Sequence, residues 1–177
     1  IFDGRLGDDI IIGGSNSDTA FYKNASGGVV VNLNAGVVAA NPASATTAGW
    51  NYVGQSFGTS SGADGNDTLY GIERVTGSRF NDTLTGDANS NVFKGLDGAD
   101  TIDGGAGNDW VSYGESRTIA NLANGTNTGI TVDLSSATDA NGYISVSVAD
   151  GNEMAASIDK LKNIENIVGS TFNDVIT

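Results

Sequence analysis

Three observations predict an all-β fold assembled from a nine-residue turn-and-strand unit. The first is the stretch Gly104-Gly105-Ala106-Gly107-Asn108-Asp109-Trp110-Val111-Ser112, preceded in frame by Gly95 to Asp103, Gly86 to Lys94 and Gly77 to Thr85. Each unit opens on glycine, has Asp or Asn at its sixth place (Asp82, Asn91, Asp100, Asp109) and an apolar residue at its eighth (Leu84, Phe93, Ile102, Val111). The second is composition: 26 Gly, 1 Pro, and 17 of the 21 acidic residues aspartate, a bias toward turns rather than helices. The third is a longer internal period: adding 91 carries Gly4 onto Gly95, Asp9 onto Asp100, Gly13 onto Gly104, Asp18 onto Asp109 and Tyr22 onto Tyr113.

The nine-residue unit has a physical reading. Glycines open backbone angles that side chains forbid, so six residues can form a tight turn that aims carbonyls and one carboxylate at a common point. Hard oxygen donors in that arrangement suit calcium. The last three residues, such as Trp110-Val111-Ser112, make a short strand whose middle side chain points inward. The first units in the chain are Gly4 to Ile12 and Gly13 to Phe21.

After them comes Gly28-Val29-Val30-Val31-Asn32-Leu33, an alternating strand with a counterpart at Gly129 to Leu134. Residues 34–61 then form a strand-rich insertion with Trp50, Tyr52 and Phe57, and residues 114–158 form a second one that includes the alternating Gly142 to Val148. The segment Asn152 to Asp159 is the place where a short helix is expected. Each insertion returns through an Ile-Glu segment: Gly71-Ile72-Glu73-Arg74-Val75 matches Asn163-Ile164-Glu165-Asn166-Ile167 at an offset of 92. The chain therefore divides into units 1–91 and 92–177, read as one continuous solenoid. Trp50, Tyr52 and Trp110 are read as covering the end or flank of a core, in preference to a sugar platform.

Composition excludes several functions. Cysteine and histidine are absent, so disulfides, His-ligated zinc and His-dependent nucleophilic catalysis are ruled out. A net charge of −13 without a basic patch would repel nucleic acid. No run of 18 apolar residues exists to make a membrane-spanning helix. The chain starts at Ile1 rather than Met and reads as a slice of a longer protein, cut in phase with its own repeat, so that more units or a stacked neighbour are expected at its ends.

The GGxGxDxUx pattern of Gly104 to Ser112 resembles the nonapeptide of the RTX (repeats-in-toxin) family of secreted bacterial proteins. The resemblance implies a parallel β-roll, two nonapeptides per turn, with calcium along both edges. By motif position, Asp82 and Asp100 would share one calcium with carbonyls near Gly95, Asp97 and Gly98, and Asp109 would bind with Gly104, Gly105 and Gly107. Asn91, a neutral oxygen, would weaken the site above Asp109. Asp67, with Gly65, is expected to pair with Asp82, and Asp159 with Asp174. Asp9, with Gly7, and Asp18 fit the motif, with Asp9's partner expected before residue 1. Asp87, Asp139 and Asp150 are read as ordinary turn residues.

The function expected is that of a non-enzymatic calcium-binding structural module of a large secreted surface protein, of adhesin or surface-layer (S-layer) type. Its partners would be several calcium ions, copies of itself end to end or in a lattice, and cell-surface polysaccharide. The alternative is the C-terminal folding and export tail of a type I-secreted protease, lipase or alginate epimerase. A polysaccharide-active β-helix enzyme ranks third, because Arg5, Arg74, Arg79 and Arg117 are scattered and no carboxylate pair has a convincing context.

Overall fold

The computed structural model describes residues 1–37, 53–114, 129–133, 138–148 and 157–177. Every regular element among them is a strand. The three-residue strands β1 (Ile10–Ile12), β2 (Thr19–Phe21), β5 (Thr68–Tyr70), β6 (Arg74–Thr76), β7 (Thr83–Thr85), β8 (Val92–Lys94), β9 (Thr101–Asp103), β10 (Trp110–Ser112) and β14 (Asn166–Val168) are the strand halves of the short units. Longer strands come from the insertions and their flanks: β3 (Val29–Val37), β4 (Ser56–Gly62), β12 (Ile144–Val148) and β13 (Ser157–Lys162). The two-residue strands β11 (Thr131–Val132) and β15 (Val175–Ile176) complete the set.

The strands form two sheets. One has the order β14-β10-β8-β6-β2 and is parallel throughout. The other has the order β1-β5-β4-β3-β7-β9-β13-β12-β11-β15. Successive units alternate between the sheets, so strands 18 residues apart are neighbours: Leu84 lies beside Ile102 and Phe93 beside Val111. This is a parallel β-roll. The middle residue of each short strand fills its interior, and Leu84, Phe93, Ile102 and Val111 are fully buried together with Val75 and Leu69. The outer residues of the same strands point away from the interior, and all but Thr76 are at least partly exposed. Trp110 is one of them and is 41% exposed, so it does not cover the core. It stands at an outward position of a three-residue strand.

The described parts of the insertions enter the longer sheet. There β3 and β4, and likewise β12 with both β11 and β13, pair antiparallel, and each group is wedged between parallel coils. The helix expected over Asn152 to Asp159 is not found in its described part. Ser157 to Asp159 begin β13, where Ser157, Asp159 and Leu161 alternate inward with a period of two. The remainder of that segment, and Trp50 and Tyr52, lie outside the described residues.

Candidate calcium site

Each turn is pressed against the turn of the next coil. A Cβ added to Gly98 would lie 2.6 Å from the backbone of Phe80, one on Gly107 would lie 2.6 Å from the Asn89 carbonyl oxygen, and one on Gly65 would lie 2.0 Å from the Gly7 carbonyl oxygen. Gly7, Gly98 and Gly107, the fourth residues of their turns, share φ values of +112°, +115° and +129°. The second place of the turn also takes positive φ. Gly105 does so freely, whereas Arg5 and Leu96 do so with side chains, at a cost of roughly 1–2 kcal/mol each.

The sixth residues form a column along each edge of the roll, linked by one recurring hydrogen bond: a backbone N–H donates to the carboxylate of the next coil. On the edge of the longer sheet, Asp82 donates to Asp100 Oδ1 (2.9 Å), Asp100 to Asp159 Oδ1 (2.9 Å) and Asp9 to Asp67 Oδ1 (3.1 Å). Val29 and Ile130 donate in the same way to Asp82 and Asp174. On the other edge, Asn91 donates to Asp109 Oδ1 (2.7 Å). Asp18 and Asp109 donate to Glu73 Oε2 (2.9 Å) and Glu165 Oε2 (2.8 Å). Within the turns, Gly14 N–H reaches Asp18 Oδ2 and Ser78 N–H reaches Asp82 Oδ2, both at 2.6 Å.

Two expected pairings are corrected. Asp67 meets Asp9, not Asp82, because the antiparallel strands β4 and β3 stand between β5 and β7. Asp9 consequently has a partner inside the chain. Asp159 meets Asp100, not Asp174, because β12 and β11 intervene before β15. Tyrosines close these two positions. Tyr22 Oη donates to Asp67 Oδ2 (3.1 Å), where Ser60 Oγ also donates, and Tyr113 Oη donates to Asp159 Oδ2 (3.0 Å). Burial, and then the neighbouring carboxylate, hold both phenols well above their ordinary pKa.

The sequence reading did not single out Tyr22, Tyr113, Glu73 or Glu165 as site residues. Periodicity carried the signal: Tyr113 follows Tyr22 by 91, and Glu73 precedes Asn91 by 18, the coil spacing. Tyr113→Phe is expected to destabilise the fold by about 1–3 kcal/mol, because Asp159, 2% exposed, would lose a donor it cannot replace with water. Urea unfolding in calcium measures this, with Tyr143→Phe as the comparison. Equal midpoints for the two variants would show that the buried contact carries no stability.

The residues present suit a hard cation. Asp109, 1% exposed, has an Oδ2 that is buried and accepts no hydrogen bond from any described residue; Oδ2 of the half-buried Asp9 is in the same position. Carbonyl oxygens converge nearby. A Cβ on Gly86 would meet Gly104 O at 2.0 Å and Asn91 Oδ1 at 2.5 Å. A Cβ on Gly95 would sit 1.9 Å from Asp100 Oδ2, so the opening glycine makes room for the carboxylate that folds back over it. Among the described residues no three acidic side chains converge, so backbone carbonyls would supply most of the six to eight oxygens calcium takes. Desolvation raises the pKa of Asp82, Asp109 and Glu73; Glu165 adds to the effect at Asp109, and Asp18 to that at Glu73. Asp87 and Asp139, by contrast, accept hydrogen bonds from their own turns, as surface residues do.

The family model of the RTX calcium-binding nonapeptide repeat matches four copies, at residues 1–20, 59–71, 70–95 and 76–111. No curated protein matches the chain. The matched segments hold the turns of Asp9, Asp18, Asp67, Asp82, Asn91, Asp100 and Asp109. Residues 1–20 and 59–111 thus carry copies of the RTX calcium-binding nonapeptide repeat, in a chain folded as an all-β parallel β-roll.

Proposed function

We propose that the chain is a structural, non-enzymatic module of a secreted bacterial surface protein, of adhesin or S-layer type, that folds and assembles on extracellular calcium. The buried carboxylate oxygen of Asp109, which accepts no hydrogen bond from any described residue and lies inside a column of stacked carboxylates, is the observation that carries this reading. We assign calcium to Asp82 and Asp100 with the carbonyls of the 95–98 turn, and to Asp109 with those of Gly104, Gly105 and Gly107. Asp9, with Gly7, Asp18 and Asp174 are further candidates. Asp67 and Asp159, already bonded by tyrosine, act as metal-free staples between coils.

Recurring contacts support two tandem units, 1–91 and 92–177. Asp9–Asp67, Tyr22–Asp67, Asp18–Glu73 and Val29–Asp82 each have a counterpart in Asp100–Asp159, Tyr113–Asp159, Asp109–Glu165 and Ile130–Asp174. Insertions woven into one sheet suit a surface array better than an export tail, whose nonapeptides run uninterrupted. The edge strands β1 and β15 bear the exposed residues Ile10, Val175 and Ile176, and open edges of this kind pair with further strands. Among the described residues no helix is long and apolar enough to cross a membrane.

The reading predicts calcium-dependent self-association. Sedimentation velocity across a range of protein concentrations should show growth of oligomers in calcium and a monomer in EGTA. A concentration-independent monomer in calcium would count against the array and favour the export tail.

A further inference from the structure

The two Ile-Glu segments lack the GGxGxD turn, yet their glutamates occupy the acidic column. Glu165 Oε2 takes the Asp109 N–H at 2.8 Å and Glu73 Oε2 takes the Asp18 N–H at 2.9 Å. This is the same step by which Asp109 takes the Asn91 N–H at 2.7 Å. The column therefore runs Asp18, Glu73, Asn91, Asp109, Glu165 across the parallel sheet.

A second observation lies inside that column. Asp109 is buried, and its Oδ2 accepts no hydrogen bond from any described residue. A Cβ on Gly104 would lie 2.7 Å from that oxygen and 2.1 Å from the carbonyl oxygen of Asn163, so both oxygens face one spot that no side chain enters. Asn163 reaches this geometry with φ at +51°, and Gly71 does the same in the first unit with φ at +58°, its carbonyl 1.9 Å from the Cβ position of Gly13. A non-glycine residue in that region is strained, and here it carries a carbonyl toward a buried carboxylate oxygen.

We propose that Glu165 is a calcium ligand, sharing one ion with Asp109 Oδ2 and the Asn163 carbonyl, and that Glu73 plays the same part beside Asp18. This rests on the calcium reading above and extends it to coils without the nonapeptide turn. Two carboxylates balance one divalent charge, and the longer glutamate arm spans the distance that a glycine-rich turn covers elsewhere. All three donors are the hard oxygens calcium prefers. In the first unit Gly14 N–H already donates to Asp18 Oδ2, so the Glu165 site is the tighter of the two.

Terbium luminescence of the full chain tests this, because Trp110 adjoins Asp109 and stands opposite Asn166 across the sheet. Terbium should give tryptophan-sensitised emission that calcium competes away, and Trp110→Phe should remove it. Glu165→Gln should weaken terbium at this site by about tenfold or more. Asp100→Asn should lower the calcium stoichiometry measured by calorimetry, whereas Asp139→Asn, in a surface turn outside the proposed sites, should leave the emission nearly intact. Wild-type emission in Glu165→Gln, with calcium lost in Asp100→Asn, overturns this proposal and leaves the calcium reading standing. A wild-type chain that binds neither ion overturns both. Emission persisting in Trp110→Phe would place the ion elsewhere and also overturn the proposal. If circular dichroism shows Glu165→Gln unfolded, Glu165→Asp is the replacement: the charge is kept on a shorter arm, terbium should weaken severalfold, and wild-type affinity would contradict the assignment.

Discussion

In EGTA at neutral pH the chain is expected to lose most of its sheet signal and to regain it when calcium is restored. Neighbouring coils of a sheet lie about 4.8 Å apart. Two like charges at that distance repel by roughly 3 kcal/mol at the effective dielectric of a protein surface. The columns place Asp100 next to Asp82 and Asp159, Asp109 next to Glu165, and Asp18 next to Glu73. A few such pairs match the whole net stability of a domain, about 5–15 kcal/mol. Metal binding then appears as folding free energy, at an affinity suited to extracellular calcium, roughly 10⁻⁴ to 10⁻³ M.

The raised pKa values of Asp82, Asp109 and Glu73 fix the sign of the pH dependence. A carboxyl raised on folding favours the folded state while protonated, and that contribution is lost as pH rises through its folded value. In EGTA, acidification into the carboxylate range should therefore restore part of the sheet. A far-UV spectrum unchanged by EGTA at neutral pH would contradict the expectation.

Asp100→Ala is expected to raise the calcium midpoint about tenfold or more, and Asp87→Ala to shift it by no more than about twofold. Asp100 is 1% exposed and its carboxylate accepts the Asp82 N–H, so its loss removes a link between two stacked coils. Among the described residues the Asp87 carboxylate accepts from Asn89, within its own turn, and its backbone carbonyl, which takes the Ala106 N–H, is kept in the alanine variant. Calcium titration of both variants, followed by circular dichroism, gives the comparison. Equal midpoints would mean that the stacked column does not hold the metal.

The parallel frame of the roll was legible because its period is rigid. Leu84, Phe93, Ile102 and Val111 recur every nine residues, and a three-residue strand has one inward position, so spacing alone identifies the buried set. The turn glycines were legible for the same reason: a carboxylate folding back over Gly95 leaves no room for a Cβ. The partners of Asp67 and Asp159 were not. A hairpin inserted into one sheet separates coils that are close in sequence and joins others 58 or 59 residues apart, and no local pattern encodes that. Glu73 and Glu165 escaped because their coils lack the glycine signature, although the 18-residue step from Glu73 to Asn91 already placed Glu73 in the column. Trp110 was expected to cover the end or flank of the core by its residue type, whereas its place beside the inward Val111 turns it outward.

The central claim is that cations sit between stacked turns, and locating the ions tests it most directly. Crystals grown in calcium, measured at a wavelength where calcium scatters anomalously, should show difference peaks between the turns of Asp82 and Asp100 and beside Asp109 Oδ2. A map with no peak in either column, from crystals of the intact roll in millimolar calcium, would contradict the account.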